Sequence, residues 1–223
     1  MRRRLYLMRH AEVAYFDDGG RPTHPDEVSL TSAGVEQARA AAAALAGVRF
    51  DRVLTSGLPR TLETARLVAP GIEPESWPEL RELEGGRLAD IPDEEVEQAF
   101  VGVFRGVVPD RTHFLGGETI GSLLDRVLPA LERLVADDTW DTALAVLHGA
   151  VNRAILSHAL TGGRTFLGNF EQAPACINVL DVGDGWIVRA VNVTPYDPLH
   201  ESGRSTTMER LLEQYLPYRK ETR

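Results

Sequence analysis

Leu5-Tyr6-Leu7-Met8-Arg9-His10-Ala11-Glu12 is a short apolar run that ends in an adjacent guanidinium and imidazole. The run has the length and composition of a buried strand, and in an open α/β sheet the chemistry sits beyond the carboxyl ends of such strands. Arg9 and His10 together offer a phosphate-binding fork and a nitrogen nucleophile. Taken alone, the pair could equally be two solvated loop residues after a strand. The rest of the chain has to decide between these.

Four further apolar segments read as strands: Arg52 to Thr55, Thr142 to Leu147, Ile177 to Val182 and Trp186 to Val193. Helical patterns alternate with them. Thr31 can cap a helix running through Ala46, Leu58 to Val68 carries Pro59 in its first turn, and Ala150 to Leu160 follows a strand directly. Between Thr119 and Ala136, apolar residues recur at Ile120, Leu123, Leu124, Val127, Leu128, Leu131 and Leu134, a helical spacing. This alternation predicts a three-layer α/β/α fold with a mostly parallel sheet. Gly183-Asp184-Gly185 joins the last two strands as a hairpin, which makes one edge of the sheet mixed.

Residues 1–223 read as a single domain. Residues 73–117 are rich in Pro and Gly and include an acidic amphipathic stretch near Asp93 to Phe104. They read as a lid-like insertion over the active edge. The tail is expected to form a helix from Thr206 to Tyr215 packed on the core. Met1-Arg2-Arg3-Arg4 is charged like the start of a signal peptide, but its apolar run stops at Met8, so neither an export signal nor a membrane span is expected.

The net charge of −9 opposes nonspecific binding to nucleic acid or anionic membrane. Cys176 is the only cysteine, which excludes an intramolecular disulfide and a cysteine zinc site, and it suits a reducing cytoplasm. It sits at the start of an apolar strand with no basic partner adjoining it, so a buried thiol is expected rather than a nucleophile. Lys220 is the only lysine, so abundant arginine by itself does not mark phosphate binding.

Three strand-to-helix junctions carry groups suited to a phosphoryl group. They are Arg9-His10, Ser56-Gly57-Leu58-Pro59-Arg60 and His148-Gly149-Ala150. In a parallel sheet they converge on one edge, where two arginines can neutralise phosphate oxygens and helix N-termini after Ser56 and Gly149 offer free N–H groups.

These residues, in this order, resemble the histidine phosphatase, or phosphoglycerate mutase-like, superfamily. Arg9-His10-Ala11-Glu12 resembles its Arg-His-Gly signature with Ala11 in the glycine place. Leu30-Thr31-Ser32-Ala33-Gly34-Val35-Glu36-Gln37-Ala38 is similar to its following helix start, and Ser56 to Ala65 to its Ser-x-Leu-x-Arg-x-x-x-Thr-Ala segment. Leu80-Arg81-Glu82-Leu83 resembles the stretch that bears its acid, Gly116-Gly117-Glu118-Thr119 a later helix start, and Val146-Leu147-His148-Gly149 its second histidine.

The resemblance implies a metal-independent phosphatase that hydrolyses phosphomonoesters through a phosphohistidine. His10 would be the nucleophile, its pKa lowered by nearby cations. Arg9, Arg60, His148 and Gly149 would bind the phosphoryl group, and Glu82 would be the general acid and then the base. Glu84 is the competing acid, two residues away. Two alternatives stay open: a phosphoglycerate mutase-type phosphoryl transfer and a non-catalytic phospholigand-binding module. A mutase usually continues the first signature with Ser and, three residues later, Asn. Val13 and Phe16 stand there instead, favouring a phosphatase, and with Tyr15 they suggest an apolar approach to the site.

No cofactor and no metal are implied, and no spacing of His and carboxylates suggests a metal cage. The partner expected is a small phosphorylated substrate. Oligomeric state is left open by the sequence. Arg153, Arg21, His24 and His113 are expected at the surface, and Asp17-Asp18 and Asp137-Asp138 as solvated turn residues.

Overall fold

β1 (Arg3–Arg9) and β4 (Thr142–Leu147) run parallel and side by side at the centre of a six-stranded sheet ordered β3-β2-β4-β1-β5-β6. The computed structural model describes residues 2–221, so Met1 of the arginine-rich start lies outside the described residues. β2 (Arg52–Thr55) pairs parallel with β4, and β3 (Glu75–Ser76), a strand too short to read from the sequence, pairs parallel with β2. β5 (Ile177–Val182) runs antiparallel to β1, and β6 (Trp186–Val193) antiparallel to β5. The result is the mixed α/β architecture that the strand and helix alternation implies.

Strand alternation sorts the core into two faces. Leu5, Leu7, Leu54, Ala143, Ala145 and Leu147 point to one side, against Leu123, Val127 and Leu131 of α4 (Ile120–Ala136) and Val151 and Ile155 of α5 (Gly149–Thr161). Met8, Val53, Leu144 and Val146 point to the other, against Ala38 and Ala41 of α1 (Ser32–Ala44) and Ala65 and Val68 of α2 (Pro59–Val68). Helices therefore cover both faces. Thr31 caps α1 by accepting from the Gly34 amide at 2.9 Å, and Thr119 caps α4 by accepting from Ser122 at 3.1 Å.

Residues 73–117 begin with β3 and then hold short 3₁₀ turns and one helix. The expected helix near Asp93 to Phe104 is broken: turns at Asp93–Glu95 and Gly102–Phe104 flank α3 (Val96–Val101). Phe100, Val101, Val96 and Ile91 form a third apolar cluster with Tyr215. Tyr215 belongs to α6 (Thr207–Glu221), which is longer than expected and joins this cluster rather than the central core. Arg219 fastens α6 there by donating to Asp93 at 2.7 Å and to the Leu88 carbonyl at 3.0 Å. No helix among the described residues is long and apolar enough to cross a membrane.

The loop after β1 is held by the start of α1. The Glu12 carbonyl accepts from Thr31 N at 3.0 Å, and the Glu12 amide donates to Gln37 Oε1 at the same distance. This packing is so close that a Cβ on Gly34 would lie 2.2 Å from the Glu12 carbonyl oxygen. Gly34→Ala is therefore expected to cost about 1–3 kcal/mol and to lower the thermal midpoint by roughly 2–12 °C. An unshifted unfolding curve would show that the α1 start does not brace the loop.

Candidate active site

The β1–β4 register pairs Arg9 with Leu147, so the next residue of each strand, His10 and His148, stand side by side. The His10 amide donates to the Leu147 carbonyl at 2.9 Å, and the two imidazoles lie edge to face with centroids 5.3 Å apart. On the neighbouring strand, Thr55 pairs with Val146, which brings Ser56 and the start of α2 to the same edge. Arg60, on the first turn of α2, is 2% exposed, and Arg9 is 8% exposed. Arg9, Arg60, His148 and Gly149 thus surround His10 in a buried cationic cradle.

His10 Nδ1 lies 2.8 Å from the Ala11 carbonyl, so in the neutral ring Nδ1 carries the proton and Nε2 the free lone pair. Burial, reinforced by Arg9 and Arg60, holds the His10 imidazole well below its ordinary value of 6.5. His148 is held low by burial and then by Arg60, His10 and Arg9. Its Nε2 meets Ser56 Oγ at 2.7 Å, while the Thr61 hydroxyl donates to the Leu58 carbonyl at 2.8 Å. Ser56 Oγ lies farther from Thr61 Oγ1, at 3.2 Å, so we assign its proton to the shorter contact with His148 Nε2, which puts the His148 proton on Nδ1.

Four buried side-chain polar atoms have no hydrogen-bond partner among the described residues, and three belong to the cradle: Arg9 Nε, Arg60 Nε and His148 Nδ1. A buried donor left unpaired costs about 1–3 kcal/mol. One outer nitrogen of each arginine is fixed by the fold. Arg9 Nη1 donates to the Gln172 carbonyl at 2.5 Å and to Thr207 Oγ1 at 2.9 Å, and Arg60 Nη1 to the Pro25 carbonyl at 2.6 Å. The cradle thus holds three preorganised donors around a neutral imidazole, an arrangement suited to a tetrahedral oxyanion.

Glu82 reaches this site and Glu84 does not. Glu82 Oε1 accepts from Ala150 N at 3.2 Å, in the first turn of α5, and Glu82 lines the same cleft as Arg9 and Gly149. A Cβ on Gly149 would lie 3.2 Å from Arg153 Nη1 and in ordinary contact, at 3.7 Å, with Arg9 Nε and Glu82 Oε2, so the helix start sits among all three charged side chains. Glu84 is exposed, and its amide donates to Glu118 at 3.1 Å. Arg126, which the sequence does not single out, secures the segment: it donates to the carbonyls of Glu79, Arg81 and Glu82 at 2.8, 2.6 and 3.0 Å.

Arg153 corrects the expectation of a surface residue. It is 6% exposed and lines the cleft, because four residues along α5 bring it beneath Gly149, whose carbonyl accepts from Nη1 at 3.1 Å. Its spacing from Gly149 was the available signal. Arg21, His24 and His113 are exposed. Asp17 accepts from Gly19 and Arg21 amides in a turn, and Asp137 accepts from Thr139. Burial pushes the Cys176 thiol up to about 12, which makes it a poor nucleophile.

Val13, Tyr15 and Phe16 do not line the cleft: Tyr15 is half-buried in the field of Arg60, Arg9 and Glu82, and Phe16 packs against the α3–α6 cluster. The apolar residues that do line it include Leu83, Val101, Phe104, Phe114, Phe170 and Met208, which come from separate loops and helices and carry no spacing signal. Among the described residues, no group of three or more His, Cys, Asp and Glu is gathered as a metal cage.

Residues 5–194 match the family model of the histidine phosphatase superfamily (branch 1). Over 196 residues the chain is 31% identical to the adenosylcobalamin/alpha-ribazole phosphatase of Salmonella typhimurium, covering 82% of this chain and 92% of that one. The alpha-ribazole phosphatase structure from Shigella flexneri aligns with a TM-score of 0.67 at 25% identity, over 85% of this chain and 96% of that one. The phosphoglycerate mutase of Bacillus anthracis shares the fold with a TM-score of 0.64 at 22% identity, over 87% and 95% of the two chains.

The depressed histidines make stability depend on pH in a defined direction. In the unfolded chain both imidazoles take protons below about pH 6.5, while the folded chain refuses them, so stability is complete above that value and is lost as pH falls. Each histidine contributes a slope of up to about 1.4 kcal/mol per pH unit. Urea unfolding between pH 6.5 and 5 should therefore show a shallower loss in the His10→Gln/His148→Gln double variant than in the parent. Parallel pH profiles would contradict the assignment of buried neutral rings.

Proposed function

This chain belongs to the histidine phosphatase superfamily, branch 1, and from that premise we propose that it hydrolyses small phosphomonoesters with His10 as nucleophile and Glu82 as proton donor. The observation that carries this reading is the trio of unpaired buried donors, Arg9 Nε, Arg60 Nε and His148 Nδ1, around a neutral imidazole. His10 Nε2 attacks phosphorus in line, an Nε2–P bond forms, and the ester P–O bond breaks. The departing alkoxide takes the proton of Glu82. Water then gives a proton to the Glu82 carboxylate as its oxygen attacks phosphorus, the N–P bond breaks, and inorganic phosphate leaves with His10 restored. Arg9, Arg60, His148 and the α5 amides stabilise the charge in both steps.

The substrate is read as a small phosphorylated molecule rather than a nucleic acid, since the net charge of −9 repels polyanions while the local cradle attracts one phosphate. A reducing cytoplasmic setting agrees with the single buried thiol, Cys176. The mutase and binding-module readings gain no support from the site, where Val13 and Phe16 supply no polar contact for a phosphoglycerate.

Phosphate release from phenyl phosphate, assayed without added divalent metal, tests the roles. His10→Ala should abolish turnover with the fold intact by circular dichroism. Glu82→Gln should lower kcat by about 10²–10⁴-fold, with Glu84→Gln within a few-fold of the parent. Retained turnover in His10→Ala, or a loss confined to Glu84→Gln, would overturn the assignment.

A further inference from the structure

Beside the cradle lies a cleft of about 250 Å³ that shares Arg9, Glu82, Gly149 and Ala150 with it. Phe104, Phe114 and Phe170, packed on the central core, line it together with Val101 and with Met208 at the start of α6, which belong to the α3–α6 cluster. An apolar cavity of about 150 Å³ accepts one benzene ring, so this cleft has room for a fused pair of rings. Glu82 stands where cleft and cradle meet, which is where the ester oxygen of a bound substrate would lie.

Charge limits what the alcohol can carry. Apart from Arg9 and Glu82, the described lining holds two cations, Arg105 and Arg153, and two acids, Glu171 and Glu209. Arg153 pairs with Glu171 at 3.4 Å, donates to the Gly168 and Gly149 carbonyls, and lays its guanidinium 4.5 Å over the Phe104 ring. Arg105 stands in the field of Glu209. The two cations are matched by two acids, so a carboxylate or second phosphate entering here meets no net positive charge beyond that of the cradle.

Met208 comes from beyond residue 194, where the family match ends. Thr206 and Glu209 cap each other at the start of α6: the Thr206 amide donates to Glu209 Oε2 at 2.6 Å, and the Glu209 amide donates back to Thr206 Oγ1 at 3.3 Å. The Thr207 hydroxyl accepts from Arg9 Nη1 at 2.9 Å and donates to Glu171 Oε1 at 3.2 Å. Met208, the next residue, is thereby held in the lining of the cleft.

We infer that this cleft is the leaving-group site for phosphate esters of uncharged alcohols bearing an aromatic ring system, with Met208 of the C-terminal helix as a specificity-determining residue. The inference rests on the phosphatase reading above. It is tested by phosphate release from four esters: 4-(carbamoylmethyl)phenyl, 4-(carboxymethyl)phenyl and 2-naphthyl phosphate, and glycerol 3-phosphate. The first two are matched in size, shape and leaving-group acidity and differ by one charge.

The expected result is a kcat/KM about tenfold or more higher for 4-(carbamoylmethyl)phenyl than for 4-(carboxymethyl)phenyl phosphate, with the gap narrowed in Glu171→Gln. Met208→Ala should lower kcat/KM for 2-naphthyl phosphate by about three- to tenfold, mainly through KM, and more than for glycerol 3-phosphate. Equal rates on the matched pair, a preference for the carboxylate ester, or equal effects of Met208→Ala on ring and glycerol esters would overturn the inference. No phosphate release from any of the four by folded protein would instead overturn the phosphatase reading beneath it.

Discussion

The register between β1 and β4 is the constraint on which the catalytic end depends. Parallel strands in a sheet have one fixed offset, and here it sets Arg9 opposite Leu147, so that the first residues past both strand ends are the two histidines. A slip of one residue would turn Leu5 and Leu7 out of one core face and Met8 out of the other. The apolar packing that fixes the register on both faces therefore also fixes the spacing of His10 and His148. The same argument extends to β2, whose pairing with β4 brings Ser56 and Arg60 to that edge.

Preorganisation of this edge has a visible cost. Arg9, His10, Arg60 and His148 are all buried, with three donors left unpaired among the described residues. Such a group survives only when surrounding structure over-determines it. Backbone carbonyls at Pro25 and Gln172 hold one outer nitrogen of each arginine, and the α1 start braces the loop after β1. The neutral imidazoles follow from the same burial: charge on either ring is opposed by desolvation and by the two guanidinium groups.

The sheet, its two helical layers and the cradle were legible because they rest on local signals: apolar runs of strand length, caps at Thr31 and Thr119, and polar groups at strand ends. Glu82 was legible only as one of two candidates, because a loop carboxylate has no periodicity. The choice depends on Arg126, forty-odd positions away, clamping the backbone of residues 79–82. The cleft was not legible, since its aromatic lining comes from separate loops; of Val13, Tyr15 and Phe16 none lines it, while Tyr15 lies half-buried in the field of Arg60, Arg9 and Glu82. Arg153 was misjudged because burial of a helical arginine depends on what packs over it, here Phe104 and Glu171. The α6 helix was found in outline, but its attachment to α3 depends on long-range contacts such as Arg219 to Asp93.

His10 Nε2 as the attacking atom is the claim that ties register, tautomer and electrostatics together. It is tested most directly by quenching the protein with alkali during steady turnover of phenyl phosphate, locating the phosphoryl group by peptide mass spectrometry, and identifying its linkage by phosphorus NMR. The account predicts a phosphoryl group on His10 linked through Nε2. Phosphate on another residue, linkage through Nδ1, or turnover with no phosphorylated protein would contradict it.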